Sequence, residues 1–95
     1  IALVPRMLVG VSQRTQKTEL FGRSYDSPFG ICPMGGTSLA GFDGDLALAR
    51  AAAANNIPMI LSGASLTRLE EIRTASPNNS WFQAYLPGEE KAISD

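Results

Sequence analysis

The sequence contains no histidine, and its 95 residues include a single cysteine. The missing histidine excludes, within these residues, a Ser-His-Asp triad, a Cys-His pair and a histidine metal site. One cysteine cannot form an internal disulfide or a cysteine-rich zinc site. No apolar run reaches the roughly 18 residues that a membrane span needs.

Charge is also scarce, because Asp, Glu, Lys and Arg together make up 18% of the residues. This low content indicates that much of the chain is buried. The formal net charge is −1, and nucleic-acid-binding domains usually have a basic surplus. The composition is therefore typical of a globular domain with no nucleic-acid partner.

The two ends of the sequence indicate a piece of a longer protein. The chain starts at Ile1 inside an apolar pattern, and it ends at Asp95 without a closing glycine. No signal peptide is visible. No linker divides the residues, so we expect residues 1–95 to be part of one domain.

Strands and helices alternate along most of the chain. Residues 1–27 predict short strands and loops, with one weak strand near residues 19–25. Helices are predicted at residues 43–55, where Asp43 can cap, and at residues 67–75, where Thr67 and Glu70 have capping-box spacing. A further helix is expected to begin near Glu89. Short apolar runs predict buried strands at residues 28–34, 57–61 and 81–86.

This order, with two successive βα units, predicts an α/β protein with a parallel sheet. The strand-to-strand spacing suits a (β/α)₈ barrel, in which a unit averages about 31 residues. An open doubly wound sheet is the alternative. Cys32 lies inside the first predicted strand, and we expect it to be buried and inert.

Small and polar residues stand where the predicted strands end. Gly35 and Gly36 follow the first strand as either a cofactor loop or a plain turn, and neither G-x-G-x-x-G nor G-K-[ST] is present. Ser62 follows the second strand. It either donates a hydrogen bond to a cofactor at the rim of a barrel or satisfies backbone groups at a helix start.

Gln83 lies inside the third predicted strand, and side-chain alternation places it on the same side as Tyr85. A buried amide needs hydrogen-bonding partners, which a bound heterocycle or the protein core would supply. Tyr85 either donates a hydrogen bond to a substrate oxygen or packs at the end of the strand. The residues alone leave both alternatives open.

Five segments in order carry a family resemblance. They are residues 3–12 (LVPRMLVGVS), 28–36 (PFGICPMGG), 44–52 (GDLALARAA), 60–65 (ILSGAS) and 81–85 (WFQAY). Together they resemble the FMN-dependent 2-hydroxy-acid dehydrogenase/oxidase family, which includes glycolate oxidase, L-lactate dehydrogenase and mandelate dehydrogenase. No single segment is specific, but the ordered set covers nearly the whole chain.

The resemblance implies a TIM (β/α)₈ barrel that binds FMN at its C-terminal rim. Residues 1–27 would precede the barrel, and residues 28–95 would supply its first three strands and their helices. Ser62 and Gln83 would hydrogen-bond the flavin, and Tyr85 would bond the substrate. The backbone of four residues would run beside the flavin ring: Pro33, Met34, Gly35 and Gly36.

The sequence also departs from the family pattern. Gly10 stands where Asp is common, and Ala84 stands in the middle of the family's Q-L-Y triplet. Ala64 replaces a bulky aromatic of some members, which implies a larger substrate pocket. Gly35 stands where several oxidases carry Ala, which favours a dehydrogenase that passes electrons to an acceptor other than oxygen.

The function implied is that of a fragment of an enzyme that oxidises L-2-hydroxy acids to 2-oxo acids. The family's catalytic His, its substrate-binding Arg and its flavin-side Lys lie further along. We therefore expect no catalytic residue here and no activity from residues 1–95 alone. The alternatives are another FMN barrel enzyme, similar to IMP dehydrogenase or type 2 isopentenyl-diphosphate isomerase, or a non-catalytic assembly relic.

The resemblance also implies the partners and location of the whole protein. A small 2-hydroxy acid would be the substrate, with the electron acceptor left open. We expect a homo-oligomer, no metal, and a location in the cytoplasm or at a membrane surface, because family members range from soluble to membrane-associated.

Overall fold

A computed structural model of the chain describes residues 1–86 and Gly88, so the helix expected near Glu89 lies outside the described residues. The strands are β1 (Thr18–Leu20), β2 (Arg23–Tyr25), β3 (Met59–Leu61) and β4 (Ser80–Phe82). The helices are α1 (Thr37–Ala40), α2 (Gly44–Ala54) and α3 (Leu69–Ala75). Among the described residues, no helix combines the length and apolar character needed to cross a membrane.

The segment before the sheet contains an antiparallel hairpin rather than one weak strand. Phe21 and Gly22 join β1 to β2, and their φ angles of 49° and 72° suit a type I′ turn. The hairpin packs on the sheet through aromatic contacts. Trp81 Nε1 donates a hydrogen bond to the buried Tyr25 hydroxyl at 3.1 Å, and the Phe21 ring meets Trp81 with centroids 5.3 Å apart.

The sheet itself is parallel, as predicted. β3 pairs with β4 in a register that places Ile60 beside Trp81, and the first predicted strand lies on the other side of β3. The strand segments therefore follow their sequence order across the sheet. This arrangement is the one that successive βα units of a barrel produce.

The first predicted strand is much shorter than residues 28–34, because only Ile31 forms a bridge, to Met59. The Ile31 N–H donates to Pro58 O at 2.8 Å, and the Ile60 N–H donates to Ile31 O at 3.0 Å. Pro33 has no N–H, so the ladder cannot continue from that residue. Past it, the chain turns into α1 where a loop was expected.

The helix predicted at residues 43–55 is confirmed as α2, but the expected Asp43 cap is wrong. Asp43 occupies the N-cap position with a φ of 50°, and its side chain forms no capping hydrogen bond. Effective N-caps have extended backbone geometry, which aims the side chain at the first helical N–H groups. Asp43 contributes its carbonyl instead, which accepts a bond from Ala47 N–H at 2.9 Å.

The capping box predicted for the second helix is also wrong. α3 begins at Leu69, with Arg68 in the N-cap position and no side-chain cap. Thr67 lies one residue outside that position. Its hydroxyl donates instead toward Asp45 Oδ2, at 3.4 Å.

The core lies between the sheet and the two longer helices. Ala49 and Ala52 of α2 pack with Ile72 of α3 on Met59 and Leu61, and all five are buried. Cys32, expected to be buried, is exposed. The residue next to it, Ile31, packs against the core instead.

Candidate functional site

The sheet face opposite the helices carries an apolar layer. Neighbours in a parallel register point to the same side, so Ile60 and Trp81 share this face. Together with Cys32 they line a cavity of about 260 Å³. The remaining lining residues are Leu20, Gly30, Ile31 and Pro58. The cavity offers few polar groups, so the candidate site lies further along the strands.

Three of the predicted site residues lie two positions after Cys32, Ile60 and Trp81 in the sequence. They are Met34, Ser62 and Gln83. The hydrogen-bond ladder continues beyond β4, because Gln83 N–H donates to Leu61 O at 2.9 Å. Side chains two apart share a face of a strand. Ser62 and Gln83 therefore follow Ile60 and Trp81 on the same side, at the carboxyl ends of adjacent strands.

Ser62 is buried at the start of the loop after β3. Its Oγ accepts a hydrogen bond from Ala64 N–H at 3.1 Å, and its carbonyl accepts one from Ser65 N–H at 3.0 Å. Ser62 therefore satisfies backbone N–H groups of the loop that follows it, which is the alternative role considered for this residue. A hydroxyl also has a proton to donate, and the bonds that Ser62 forms with described residues leave that proton for a further acceptor.

The loops after the three strands touch one another through two glycines. A Cβ on Gly35 would lie 3.4 Å from Ala64 Cβ and 3.9 Å from Ser62 Oγ. A Cβ on Gly63 would lie 2.7 Å from Gln83 O and 2.8 Å from Tyr85 Cδ2. The structure therefore brings four of the predicted residues together at the three strand ends: Gly35, Ser62, Gln83 and Tyr85.

The first of these loops is held by α1. Thr37 Oγ1 donates to Met34 O at 2.9 Å, and Gly36 has a φ of 68°, which favours glycine. Pro33 is half-buried, and Met34 is exposed.

Gln83 and Tyr85 have different degrees of burial. Gln83 is half-buried, and its hydrogen bond within the described residues uses the backbone N–H, which leaves the side-chain amide for a ligand. Tyr85 is 68% exposed beside Gly63. Within the described part of the chain, no group of three or more His, Cys, Asp or Glu side chains is placed to hold a metal ion.

Comparison with protein-family models identifies the family of the chain. The family model described as FMN-dependent dehydrogenase matches residues 1–95, the whole chain. The chain belongs to the FMN-dependent dehydrogenase family. This confirms the resemblance found in the five sequence segments.

Known relatives are similar to this chain over most of its length. The L-lactate dehydrogenase of Ectopseudomonas mendocina is 38% identical over 86 residues, which cover 90% of this chain and 23% of the relative. The L-lactate oxidase of Nostoc sp. is 42% identical over 90 residues, which cover 90% of this chain and 25% of the relative. The chain thus spans about a quarter of the length of these relatives.

A solved structure shows the same fold. A soluble mutant of the membrane-associated (S)-mandelate dehydrogenase from Pseudomonas putida matches with a TM-score of 0.82 and 37% identity. The match covers 96% of this chain and 26% of that one. Structural neighbours of this FMN-dependent dehydrogenase segment are TIM-barrel proteins, but the described residues include only short strands and helices, with no closed barrel.

Sequence reasoning missed the hydrogen bonds that join the loop after β3 to Asp45 of α2. Asp45 lies in the first turn of α2, where the positive end of the helix dipole favours an anion. In the structure it also accepts a hydrogen bond from Ser65 Oγ at 2.6 Å. The sequence signal was the cluster of hydroxyl residues between Ser62 and Thr67, whose partner is 20 residues away and cannot be identified by local spacing.

Proposed function

We propose that this chain forms one wall of the FMN and substrate pocket in an enzyme that oxidises L-2-hydroxy acids to 2-oxo acids. The observation that carries the proposal is the meeting of three strand ends, where Gly35 borders Ser62 and Gly63 borders Gln83 and Tyr85. Family membership and the names of lactate-oxidising relatives support it.

The residues at this rim fit a flavin. Ser62 offers a hydroxyl proton, and Gln83 offers an amide with both donor and acceptor groups, which suits the carbonyl and N–H groups of a flavin pyrimidine edge. Gly35 has no side chain to keep a planar ring away from the backbone of residues 33–36. FMN, when bound, supplies the acceptor for the hydride equivalent that leaves the substrate.

Tyr85 is proposed to bind the substrate. Its ring packs beside Gly63 at the same rim as Gln83, and its exposed position leaves the hydroxyl free to donate to a carboxylate or hydroxyl oxygen. The small Ala64 leaves room beside this position. The proton-abstracting base belongs to residues outside this segment.

We further propose that the whole protein acts as a dehydrogenase rather than an oxidase, because Gly35 stands where several oxidases carry Ala. We also propose that it is a homo-oligomer, as the family resemblance implies. Its location is proposed to be the cytoplasm or a membrane surface, the latter supported by the membrane-associated mandelate dehydrogenase relative. Reduction of an artificial dye by substrate, compared with oxygen consumption, distinguishes dehydrogenase from oxidase.

The test uses the intact protein from the reading frame that contains this segment. We expect it to retain FMN through purification and to oxidise L-lactate or (S)-mandelate with a dye acceptor. Gln83→Leu removes the side-chain amide, and with it the proposed hydrogen bonds to FMN, at nearly constant size. We expect the FMN dissociation constant to rise by about tenfold or more. Gln13→Leu, in the exposed segment before β1, is the matched control and should bind FMN normally.

Other outcomes identify the alternatives. An intact protein that binds FMN without oxidising 2-hydroxy acids would support another FMN barrel enzyme. One that folds but binds no flavin would support an assembly role. Equal FMN affinity in Gln83→Leu and wild type would remove Gln83 from the site.

A further inference from the structure

The loop after β3 is attached to α2 by a buried carboxylate. Asp45, in the first turn of α2, is only 3% exposed. Ser65 Oγ donates to its Oδ2 at 2.6 Å, and Thr67 Oγ1 lies within 3.4 Å of the same oxygen. The first bond is short and charge-assisted, and the second is long and correspondingly weaker.

Ser65 links this carboxylate to the predicted flavin-binding serine. Its Oγ accepts a hydrogen bond from Thr67 N–H at 3.0 Å, and its own N–H donates to Ser62 O at 3.0 Å. Asp45 is therefore two hydrogen bonds away from the backbone of Ser62. Gly63, which contacts Gln83 and Tyr85, lies inside the same loop.

The carboxylate is held on a rigid support. α2 packs through Ala49 and Ala52 into the buried core, and Asp45 lies one or two turns earlier on the same helix. A buried carboxylate is costly unless it accepts hydrogen bonds, so the structure favours the loop conformation that provides the Ser65 hydroxyl. The N-terminal end of the helix dipole adds further stabilisation to the negative charge.

We infer that Asp45 is a positioning residue that fixes residues 62–67, and through them Ser62 and Gly63, in the geometry that binds FMN. This inference rests on the proposed function. Asp45 itself does not reach the open sheet face. It acts chiefly through Ser65, whose bond to Asp45 Oδ2 is 2.6 Å long, against 3.4 Å for Thr67.

The experiment measures FMN binding to the intact apoprotein by quenching of flavin fluorescence, together with the visible spectrum of the bound flavin. In Asp45→Ala and Ser65→Ala, we expect the FMN dissociation constant to rise by about tenfold, the effect of losing one charge-assisted hydrogen bond. Asp45→Asn keeps an acceptor oxygen and should remain within about threefold of wild type.

Two further variants separate positioning from general stability. Asp43→Asn removes a carboxylate two residues away that caps nothing, and it should bind FMN as wild type does. The double variant Asp45→Ala/Ser65→Ala should lose less FMN affinity than the sum of the two single losses, because both single variants remove the Ser65–Asp45 bond. The thermal midpoint of each apoprotein is recorded in parallel.

The outcomes are distinct. Wild-type affinity and spectrum in Ser65→Ala, which removes a single hydroxyl, overturn the inference even if Asp45→Ala does not fold. A lower apoprotein midpoint with unchanged FMN affinity also overturns it, because the link would then be structural only. A wild-type protein that binds no FMN overturns the proposed function, and with it this role.

Discussion

At Gly63, the absence of a side chain allows two strand ends to approach each other. The atom nearest to an added Cβ would be the backbone oxygen of Gln83, which cannot move as a flexible side-chain end can. The same loop is fixed on its other side by Asp45. An atom added at Gly63 would therefore displace Gln83 or Tyr85.

We expect Gly63→Ala to weaken FMN and substrate binding in the intact protein. The added Cβ would lie 2.7 Å from Gln83 O and 2.8 Å from Tyr85 Cδ2, so one of the strand ends must shift. Overpacking of this kind costs about 1–3 kcal/mol, which corresponds to a rise of about fivefold or more in the dissociation constant.

Titration of apoprotein with FMN and the KM for L-lactate measure this effect. Gly41→Ala is the matched control, because a Cβ there meets nothing within 4 Å and the backbone φ of −162° is accessible to any residue. Equal affinities in the two variants would show that the close approach at Gly63 is unimportant.

At the scale of elements, α2 contributes to the buried core and carries Asp45 in its first turn. Its 11 residues are rich in alanine, which favours helix formation, and its inward face carries the small side chains that allow close packing on β3. α3 has only seven residues, too few for a stable isolated helix, and its buried contact is Ile72. Tertiary packing therefore stabilises α3, whereas α2 is favoured by its own sequence.

We expect Ala52→Leu to destabilise the intact protein by about 1–3 kcal/mol, because a larger side chain must enter a filled core. Ala52 is fully buried in the core cluster, whereas its neighbour Ala51 is exposed. Ala51→Leu should be nearly neutral, since Leu and Ala have similar helix propensities. Denaturant unfolding of both variants checks this, and equal losses would contradict the packing described here.

At the scale of the whole molecule, the chain has a small core and a large apolar surface. Among the described residues, six hydrophobic residues are buried, while 18 large hydrophobic side chains are exposed. The radius of gyration is 17.4 Å, against about 12 Å for a compact domain of this length. Many of the exposed side chains lie before β1, and an apolar surface of this extent is typical of a segment that packs against further protein.

We therefore expect residues 1–95, produced alone, to lack cooperative unfolding and to bind an apolar dye such as ANS. Unpaired sheet edges and exposed apolar surface also favour aggregation. Thermal unfolding and dye fluorescence test this, with the intact protein as the control. A soluble, cooperatively folding 95-residue monomer would contradict the interpretation as part of a larger barrel.

Local patterns predicted several elements well. α2 was identifiable because its helix propensity is a property of consecutive residues, and it ends at Ala54, within one residue of the predicted end. The positions of β3 and β4 followed from short apolar runs between turn residues. The extent of the first strand was wrong, because Pro33 interrupts a ladder that hydropathy alone would continue.

The sequence predicted which candidate residues stand at the strand ends, but it did not predict the contacts that support them. Side-chain alternation placed Gln83 and Tyr85 on one side, strand-end position singled out Gly35, Gly36 and Ser62, and the family resemblance added Pro33 and Met34. Their meeting at one rim is observed, whereas their binding of FMN and substrate stays a prediction. Local capping rules assigned Thr67 and Asp43 to helix starts, but neither side chain caps a helix.

The sequence by itself determined the family, the alternation of strands and helices, and the residues that stand at the strand ends. Only the tertiary structure decided which of these residues touch, because contacts such as Asp45 with Ser65 join positions 20 residues apart. It also decided that Cys32 is exposed and that residues 18–25 form a hairpin docked on Trp81. Propensities act between neighbours in the chain, whereas such contacts depend on how the elements pack in space.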